Sequence, residues 1–147
     1  MDHVASSRKI DVLFERYGES HRNPVNKAIH WLCVPLITWS ALAALWVWSP
    51  AAAYVLIGAA TLFYLSLSFT LAIGMLAVFA AMVFPLTQLT QNVLAVAVVV
   101  FVVAWIGQFI GHKIEGKKPS FFEDLKFLLV GPAWLLGFVY RRLGIPY

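Results

Sequence analysis

The fold of this protein is decided by one uncharged stretch, which runs from Ala28 to His112 and reads AIHWLCVPLITWSALAALWVWSPAAAYVLIGAATLFYLSLSFTLAIGMLAVFAAMVFPLTQLTQNVLAVAVVVFVVAWIGQFIGH. These 85 residues contain no Asp, Glu, Lys or Arg. Because a spanning helix needs about 20 mainly apolar residues, there is room for four spans with tight turns or three with generous loops. Over the whole chain 61% of residues are apolar and 12% are charged. This composition excludes a soluble monomer and a disordered chain.

Turn residues inside the stretch favour four helices over three. Ser49-Pro50 interrupts the first apolar run, and the polar connection PLTQLTQN, from Pro85 to Asn92, precedes the last one. The region between them is too long for one span and has a break near Ser66 and Ser68. The predicted spans are Leu32–Trp48, Ala51–Leu67, Phe69–Phe84 and Val93–Gly111.

The charged residues flank this stretch and predict its orientation. Basic residues lie in the N-terminal arm, residues 1–27, and again in the segment after His112. Since basic loops stay on the cytoplasmic side, an even number of crossings satisfies both flanks. We expect an integral membrane protein with a cytoplasmic N-terminus. The basic residues that give the net charge of +4 are explained by this membrane orientation, so the charge does not imply nucleic-acid binding.

The C-terminal segment predicts a helix that does not span. Ser120 to Glu123 fits a capping box, and the apolar run Phe127–Tyr140 has only 14 residues, including Gly131-Pro132. A span here would carry Arg141 and Arg142 to the opposite side of the membrane. The predicted fold class is all-α: a polytopic membrane protein with four transmembrane helices plus a C-terminal interfacial or re-entrant helix. Residues 1–147 form one domain, with an arm (1–27), a four-span region (28–112), and a basic loop with the C-terminal helix (113–147).

The first of two polar clusters precedes the first span. It reads YGESHRNPVN, residues 17–26, and contains His21. Asn23-Pro24 is typical of a helix N-cap followed by the first helical residue. The helix that begins there carries Asn26 and His30 on one face, at positions i and i+4.

The second polar cluster ends the last predicted span. It reads QFIGHKIE, residues 108–115. If the helix continues through it, then Gln108, His112 and Glu115 share one face.

An even number of crossings brings His21, His30 and His112 to one membrane face, where they could form a metal site. Imidazole suits iron, zinc and copper. The residues expected to hold the ring nitrogens that do not bind metal are Asn26, Gln108 and Glu115. The alternative is that the three histidines are half-solvated in the headgroup region and bind nothing. His3, near the N-terminus, is expected to be solvated.

Both clusters resemble those of the membrane 2-hydroxy-fatty-acid dioxygenase family, whose fungal member acts in fatty-acid α-oxidation during phytosphingosine degradation. The matching segments are HRNPVNKAIHWLCVP, residues 21–35, and WIGQFIGHKIEGKKPSFFEDL, residues 105–125. The resemblance implies an Fe(II) enzyme that uses O2 to remove one carbon from a 2-hydroxy fatty acid. Arg22 stands where the fungal member has a second histidine. Since the fungal member is in the endoplasmic reticulum and this chain is a short version, the resemblance implies the endoplasmic reticulum or a bacterial inner membrane. The residues that the resemblance assigns as metal ligands and catalytic residues are His21, His30 and His112, and those that match the pattern in other roles are Asn26, Gln108 and Glu115.

This assignment implies a definite set of partners. Three neutral histidines leave about three positions on a six-coordinate iron, which the carboxylate and hydroxyl of a 2-hydroxy acid and O2 could take. A variant of the hypothesis places Glu115 on the iron in place of one histidine. The partners are then a 2-hydroxy fatty acid, O2 and membrane lipids.

Two other functional classes stay open. One is a non-enzymatic small membrane protein that binds lipid or metal. The other is a haem protein, which is disfavoured because axial histidines usually lie within a bundle and these lie at helix ends. A proton-coupled transporter is also disfavoured, because residues 31–111 contain no histidine and no formal charge.

Overall fold

The computed structural model describes residues 7–118 and 126–147. These residues form helices and connecting turns, with no strand among them, which confirms the all-α prediction. The capping box predicted at Ser120–Glu123 and the solvated His3 lie outside the described residues. The six helices are α1 (Lys9–Glu19), α2 (Pro24–Trp48), α3 (Pro50–Leu65), α4 (Phe69–Gln88), α5 (Val93–Glu115) and α6 (Lys126–Leu143).

Helix α2 begins where the sequence predicted. The Asn23 side chain accepts hydrogen bonds from the backbone N–H of Val25 (2.9 Å) and of Asn26 (3.4 Å), and Pro24 occupies the first turn. These bonds satisfy two donors that have no partner within the helix. As a result, Asn26 and His30 lie in the first two turns of α2, at one end of the bundle.

The structure corrects the predicted boundary at Pro85. Helix α4 continues through this proline to Gln88, so the connection to α5 is shorter than the predicted Pro85–Asn92 segment. Leu86 is buried against Ala43 and Ala97, and this packing holds the last turn of α4 in place. A proline costs a helix one N–H and crowds the preceding turn, and burial of Leu86, the next residue, offsets this cost.

Three helices, α2, α4 and α5, are long and apolar enough to cross a membrane. Helix α3, the second predicted span, has 16 residues and is a shorter apolar helix. At 1.5 Å per residue it is about 24 Å long, against about 30 Å for the hydrocarbon core of a bilayer. The described chain therefore holds three candidate spans and one shorter apolar helix.

Helices α2 and α5 pack closely at the end that carries the polar clusters. Glycines of α5 make this approach possible, because a Cβ at Gly107 would overlap Cys33 Sγ and one at Gly111 would overlap the Asn26 amide oxygen. The start of α2 and the end of α5, which are distant in sequence, thus meet side by side.

Helices α1 and α6 cover this same end of the bundle. Helix α1 was not anticipated within the N-terminal arm, and it buries Ile10, Leu13, Phe14 and Tyr17. Helix α6 packs against α1, α2 and α4. Two tyrosine hydroxyls join it to neighbouring helices by hydrogen bonds. Those bonds run from Tyr64 Oη to the Leu129 carbonyl (2.7 Å) and from Tyr140 Oη to the Thr70 carbonyl (2.8 Å).

Candidate metal centre

Three histidines from separate parts of the chain meet beneath α1 and α6. His21 precedes α2, His30 lies in the second turn of α2, and His112 lies near the end of α5. One ring nitrogen from each lies within 4.8 Å of the others, and the side chains are 1%, 1% and 3% exposed. The half-solvated arrangement considered from the sequence is therefore excluded for all three. Nothing in the sequence spacing fixes so close an approach, which depends on α2 lying against α5.

Backbone carbonyls orient two of the rings. His21 Nδ1 donates to the Tyr17 carbonyl at 2.6 Å, and His30 Nδ1 donates to the Asn26 carbonyl at 3.1 Å. Since a carbonyl oxygen can only accept, Nδ1 is the protonated nitrogen of both rings. A neutral ring then carries its lone pair on Nε2. The sequence predicted side chains in this orienting role, whereas the structure gives it to carbonyls four residues earlier in the chain.

The two lone pairs face each other. His21 Nε2 lies 2.7 Å from His30 Nε2, and two neutral acceptors at this distance repel unless a positive charge lies between or beside them. His112 Nδ1 is buried and has no hydrogen-bond partner among the described residues. With metal–nitrogen bonds of about 2.1 Å, two ligands at a right angle are about 3 Å apart. The donor set therefore fits a metal ion that prefers imidazole.

Burial keeps the first ring in the form that a metal needs. It lowers the pKa of His21 to about 4, outweighing the Tyr17 carbonyl, which favours the charged ring. A metal ligand must be neutral imidazole, so His21 is ready to bind at physiological pH.

Aromatic side chains close the centre on the side of α1 and α6. The Tyr17 ring stacks on the His21 ring with a centroid distance of 4.2 Å, and the centroid of the Trp134 ring lies 5.3 Å from that of His21. Neither residue was among the predicted site residues. The spacing of Ile10, Leu13 and Tyr17 is that of an amphipathic helix and could have indicated α1, but no comparable signal marks Trp134.

Glu115 connects the two polar clusters without being part of the histidine group. Its carboxylate accepts hydrogen bonds from the backbone N–H of Arg22 (2.9 Å) and of Asn23 (2.7 Å). It also accepts one from Asn26 Nδ2 (3.1 Å), which in turn donates to the Ser20 carbonyl (3.0 Å). The carboxylate thus ties the end of α5 to the loop that carries His21. This is a different set of partners from the ring nitrogens expected from the sequence.

Gln108 lies one turn before His112 on α5. It is buried, and its Oε1 has no hydrogen-bond partner among the described residues. The Nδ1 atoms of His21 and His30 donate to backbone carbonyls, as described above. Gln108 therefore does not hold either ring.

Nearly the whole chain matches one known protein family. The model of the family described as 2-hydroxy-palmitic acid dioxygenase Mpo1-like matches residues 7–143. The chain belongs to this family. The match confirms the resemblance that rested on two motifs, and it extends over all six helices. No curated protein and no solved structure matches the chain.

Within this Mpo1-like chain, the position beside His21 has a structural role of its own. Arg22 is exposed and its backbone N–H, rather than its side chain, joins the Glu115 network. The described residues gather three histidines at the centre and leave Arg22 at the surface.

Proposed function

We propose that this protein is an Fe(II)-dependent dioxygenase that shortens 2-hydroxy fatty acids by one carbon. The observation that carries the proposal is the buried group of His21, His30 and His112, with two opposed Nε2 lone pairs, in a member of the Mpo1-like family. The family description supplies the substrate class, a 2-hydroxy fatty acid, and the histidines supply a place for the metal.

The three histidines would hold Fe(II), and iron, when bound, supplies the electron-transfer chemistry that O2 requires. The overall reaction balances as R–CHOH–COO⁻ + O2 → R–COO⁻ + CO2 + H2O. The C1–C2 bond breaks, C1 and C2 together lose four electrons, and O2 gains them. Neutral imidazoles bring no negative charge to a dication, so the carboxylate of the substrate is the natural counter-charge.

The protein's own residues position these reactants and exclude water. The Tyr17 and Asn26 carbonyls fix the His21 and His30 rings, so that both Nε2 atoms point to one place. Tyr17 and Trp134 cover the His21 ring and keep bulk water from that side. A dry site favours the intended reaction over side reactions of activated oxygen.

An apolar groove beside α2 suits the acyl tail. It has a volume of about 170 Å³, lies between α2, α4 and α6, and includes Trp31, which follows His30 in the chain. Each buried methylene contributes about 0.8 kcal/mol to binding. Its lining is Trp31, Pro35, Val78, Met82, Pro132, Leu135, Leu136 and Val139.

The membrane arrangement forms part of the proposal. We infer four crossings by α2, α3, α4 and α5, because the start of α2 and the end of α5 lie at the same end of the bundle. The short α3 is accommodated by local thinning of the bilayer. Helix α6 lies at the interface, and the basic flanks place the centre and the N-terminus on the cytoplasmic side of a bacterial inner membrane or the endoplasmic reticulum.

Product analysis tests the function directly. Protein purified without oxygen and loaded with Fe(II) receives 2-hydroxyhexadecanoate, and air is then admitted. Mass spectrometry should detect pentadecanoate in proportion to enzyme turnover. His112→Ala protein and unhydroxylated hexadecanoate are the controls, and neither should give product. Protein that holds one iron per chain and yields no pentadecanoate would instead support a non-catalytic metal-binding membrane protein.

A further inference from the structure

A small cavity lies beside Tyr17 and is lined by residues of α1, α2, α5 and α6. Its volume is about 40 Å³. Tyr17, whose ring stacks on His21, forms one wall, and Gln108 of α5 forms another. The cavity is large enough for a hydroxyl-sized group.

Gln108 lines this cavity and carries a buried acceptor without a partner among the described residues. The residue is 5% exposed, and its Oε1 receives no hydrogen bond from the described residues. Thr38 lines the same cavity, but its hydroxyl already donates to the Val34 carbonyl at 2.9 Å. A buried acceptor without a donor is unfavourable, so the cavity is complementary to a ligand that brings an O–H or N–H group.

The proposed substrate has one such group. At neutral pH a 2-hydroxy fatty acid carries an ionised carboxylate, which only accepts hydrogen bonds, and a 2-hydroxyl, which can donate one. An acceptor oxygen would repel the carboxylate and bind the hydroxyl. An unhydroxylated fatty acid has no donor to offer. The amide oxygen thus distinguishes the two classes of acid.

Building on the proposed function, we propose that Gln108 binds the 2-hydroxyl of the substrate and selects 2-hydroxy acids over plain fatty acids. Its position one helical turn from His112 places this contact next to the metal-binding nitrogens. Gln108 is then a specificity residue that touches the substrate, rather than a holder of a histidine ring.

The test is a ratio of two equilibrium affinities. Iron-loaded protein is kept anaerobic, and the dissociation constants of 2-hydroxyhexadecanoate and hexadecanoate are measured by calorimetry in detergent. Gln108→Met keeps the length and helix propensity of the side chain and removes its hydrogen-bonding atoms. We expect this change to lower the preference for the hydroxy acid by about tenfold, with the affinity for hexadecanoate retained.

Two further variants make the result specific. Gln91→Met, the same change in the exposed α4–α5 connection, should leave both affinities unaltered. Gln108→Glu keeps an acceptor but adds a charge, so both acids should bind more weakly while the preference for the hydroxy acid persists. Gln108→Glu also provides the test if Gln108→Met fails to fold or to hold iron. Loss of the preference for the hydroxy acid in Gln108→Glu would overturn the proposal.

Failure of this inference is distinct from failure of the proposed function. If wild-type protein forms pentadecanoate in air but Gln108→Met keeps the full hydroxyl preference, then Gln108 binds a structural water only and the inference is wrong. Equal binding of the two acids by wild-type protein would also overturn it. If the preference falls as expected and no pentadecanoate forms, the binding role holds and the dioxygenase activity does not.

Discussion

Glu115→Gln tests how the centre is assembled. The carboxylate accepts three hydrogen bonds, from Arg22 N, Asn23 N and Asn26 Nδ2, and these join the end of α5 to the loop that carries His21. Glutamine has nearly the same shape, but one of its two terminal atoms is an N–H donor. That atom would face a backbone N–H, so at least one bond is lost and the remaining ones lose their charge assistance.

The size of the effect follows from these bonds. A hydrogen bond to a charged group contributes about 1.5–3 kcal/mol and a neutral one about 1 kcal/mol. Glu115 is half-buried, and water can replace part of what is lost. We therefore expect a loss of about 2 kcal/mol in stability, which for a chain of this size lowers Tm by about 6 °C. Loosening the loop should weaken iron binding by about tenfold, as changes next to metal ligands commonly do.

Paired measurements of Tm and iron affinity in detergent check this expectation, with competition by a chelator to give the iron dissociation constant. His30→Ala is the comparison, because it removes a ligand and should abolish stoichiometric iron. If Glu115→Gln abolishes iron as completely as His30→Ala, the carboxylate is itself a ligand and the connecting role is wrong. An unchanged Tm would show that the three bonds contribute nothing.

Three further outcomes are expected. Fe(II) at 100 times its dissociation constant should stabilise the wild-type protein by about 2.7 kcal/mol in thermal unfolding, and the same addition should leave His112→Ala unchanged. Because burial holds the pKa of His21 at about 4, below its usual value, the unfolded chain binds the proton first as pH falls. The metal-free protein should therefore keep the contribution of His21 to its free energy of unfolding above about pH 6.5, and lose about 3 kcal/mol of that free energy between pH 6.5 and 4. Tm measured against pH checks this, and His21→Gln should show a smaller loss. Gly111→Ala should cost about 2 kcal/mol and weaken iron binding, since its Cβ would overlap the Asn26 amide oxygen; an unaltered chelator titration would show that α2 and α5 can separate freely.

The candidate ligands were visible in the sequence because each lies in a local pattern. Asn23-Pro24 predicts the start of α2, and that start places His30 on a known face of the helix. The uncharged 85 residues between the clusters predict helices that return the chain to its starting side. This topology predicts that His21, His30 and His112 lie at one end of the bundle, and the structure places one ring nitrogen of each within 4.8 Å of the others. Their roles as metal ligands stay a prediction until metal is measured.

Helix α1 and the end of α4 are harder to predict from the sequence. Helix α1 follows from the spacing of Ile10, Leu13 and Phe14, an amphipathic pattern obscured by the charged residues around it. The end of α4 was placed too early, because burial of Leu86 outweighs the local tendency of Pro85 to end a helix. Local propensity competes with tertiary packing here, and packing prevails.

The sequence by itself determined the all-α class of fold and pointed to the three histidines, and it predicts an even number of crossings, since these depend on composition and on spacing along the chain. Tertiary structure alone decided which atoms meet. It set the Tyr17 and Asn26 carbonyls on the Nδ1 atoms, turned two Nε2 lone pairs toward each other, and gave Glu115 to the loop rather than to a ring. The physical reason is that hydrogen bonds and ring contacts act over a few ångströms, and separations this small depend on how α2, α5 and α6 pack together rather than on any pattern within one helix.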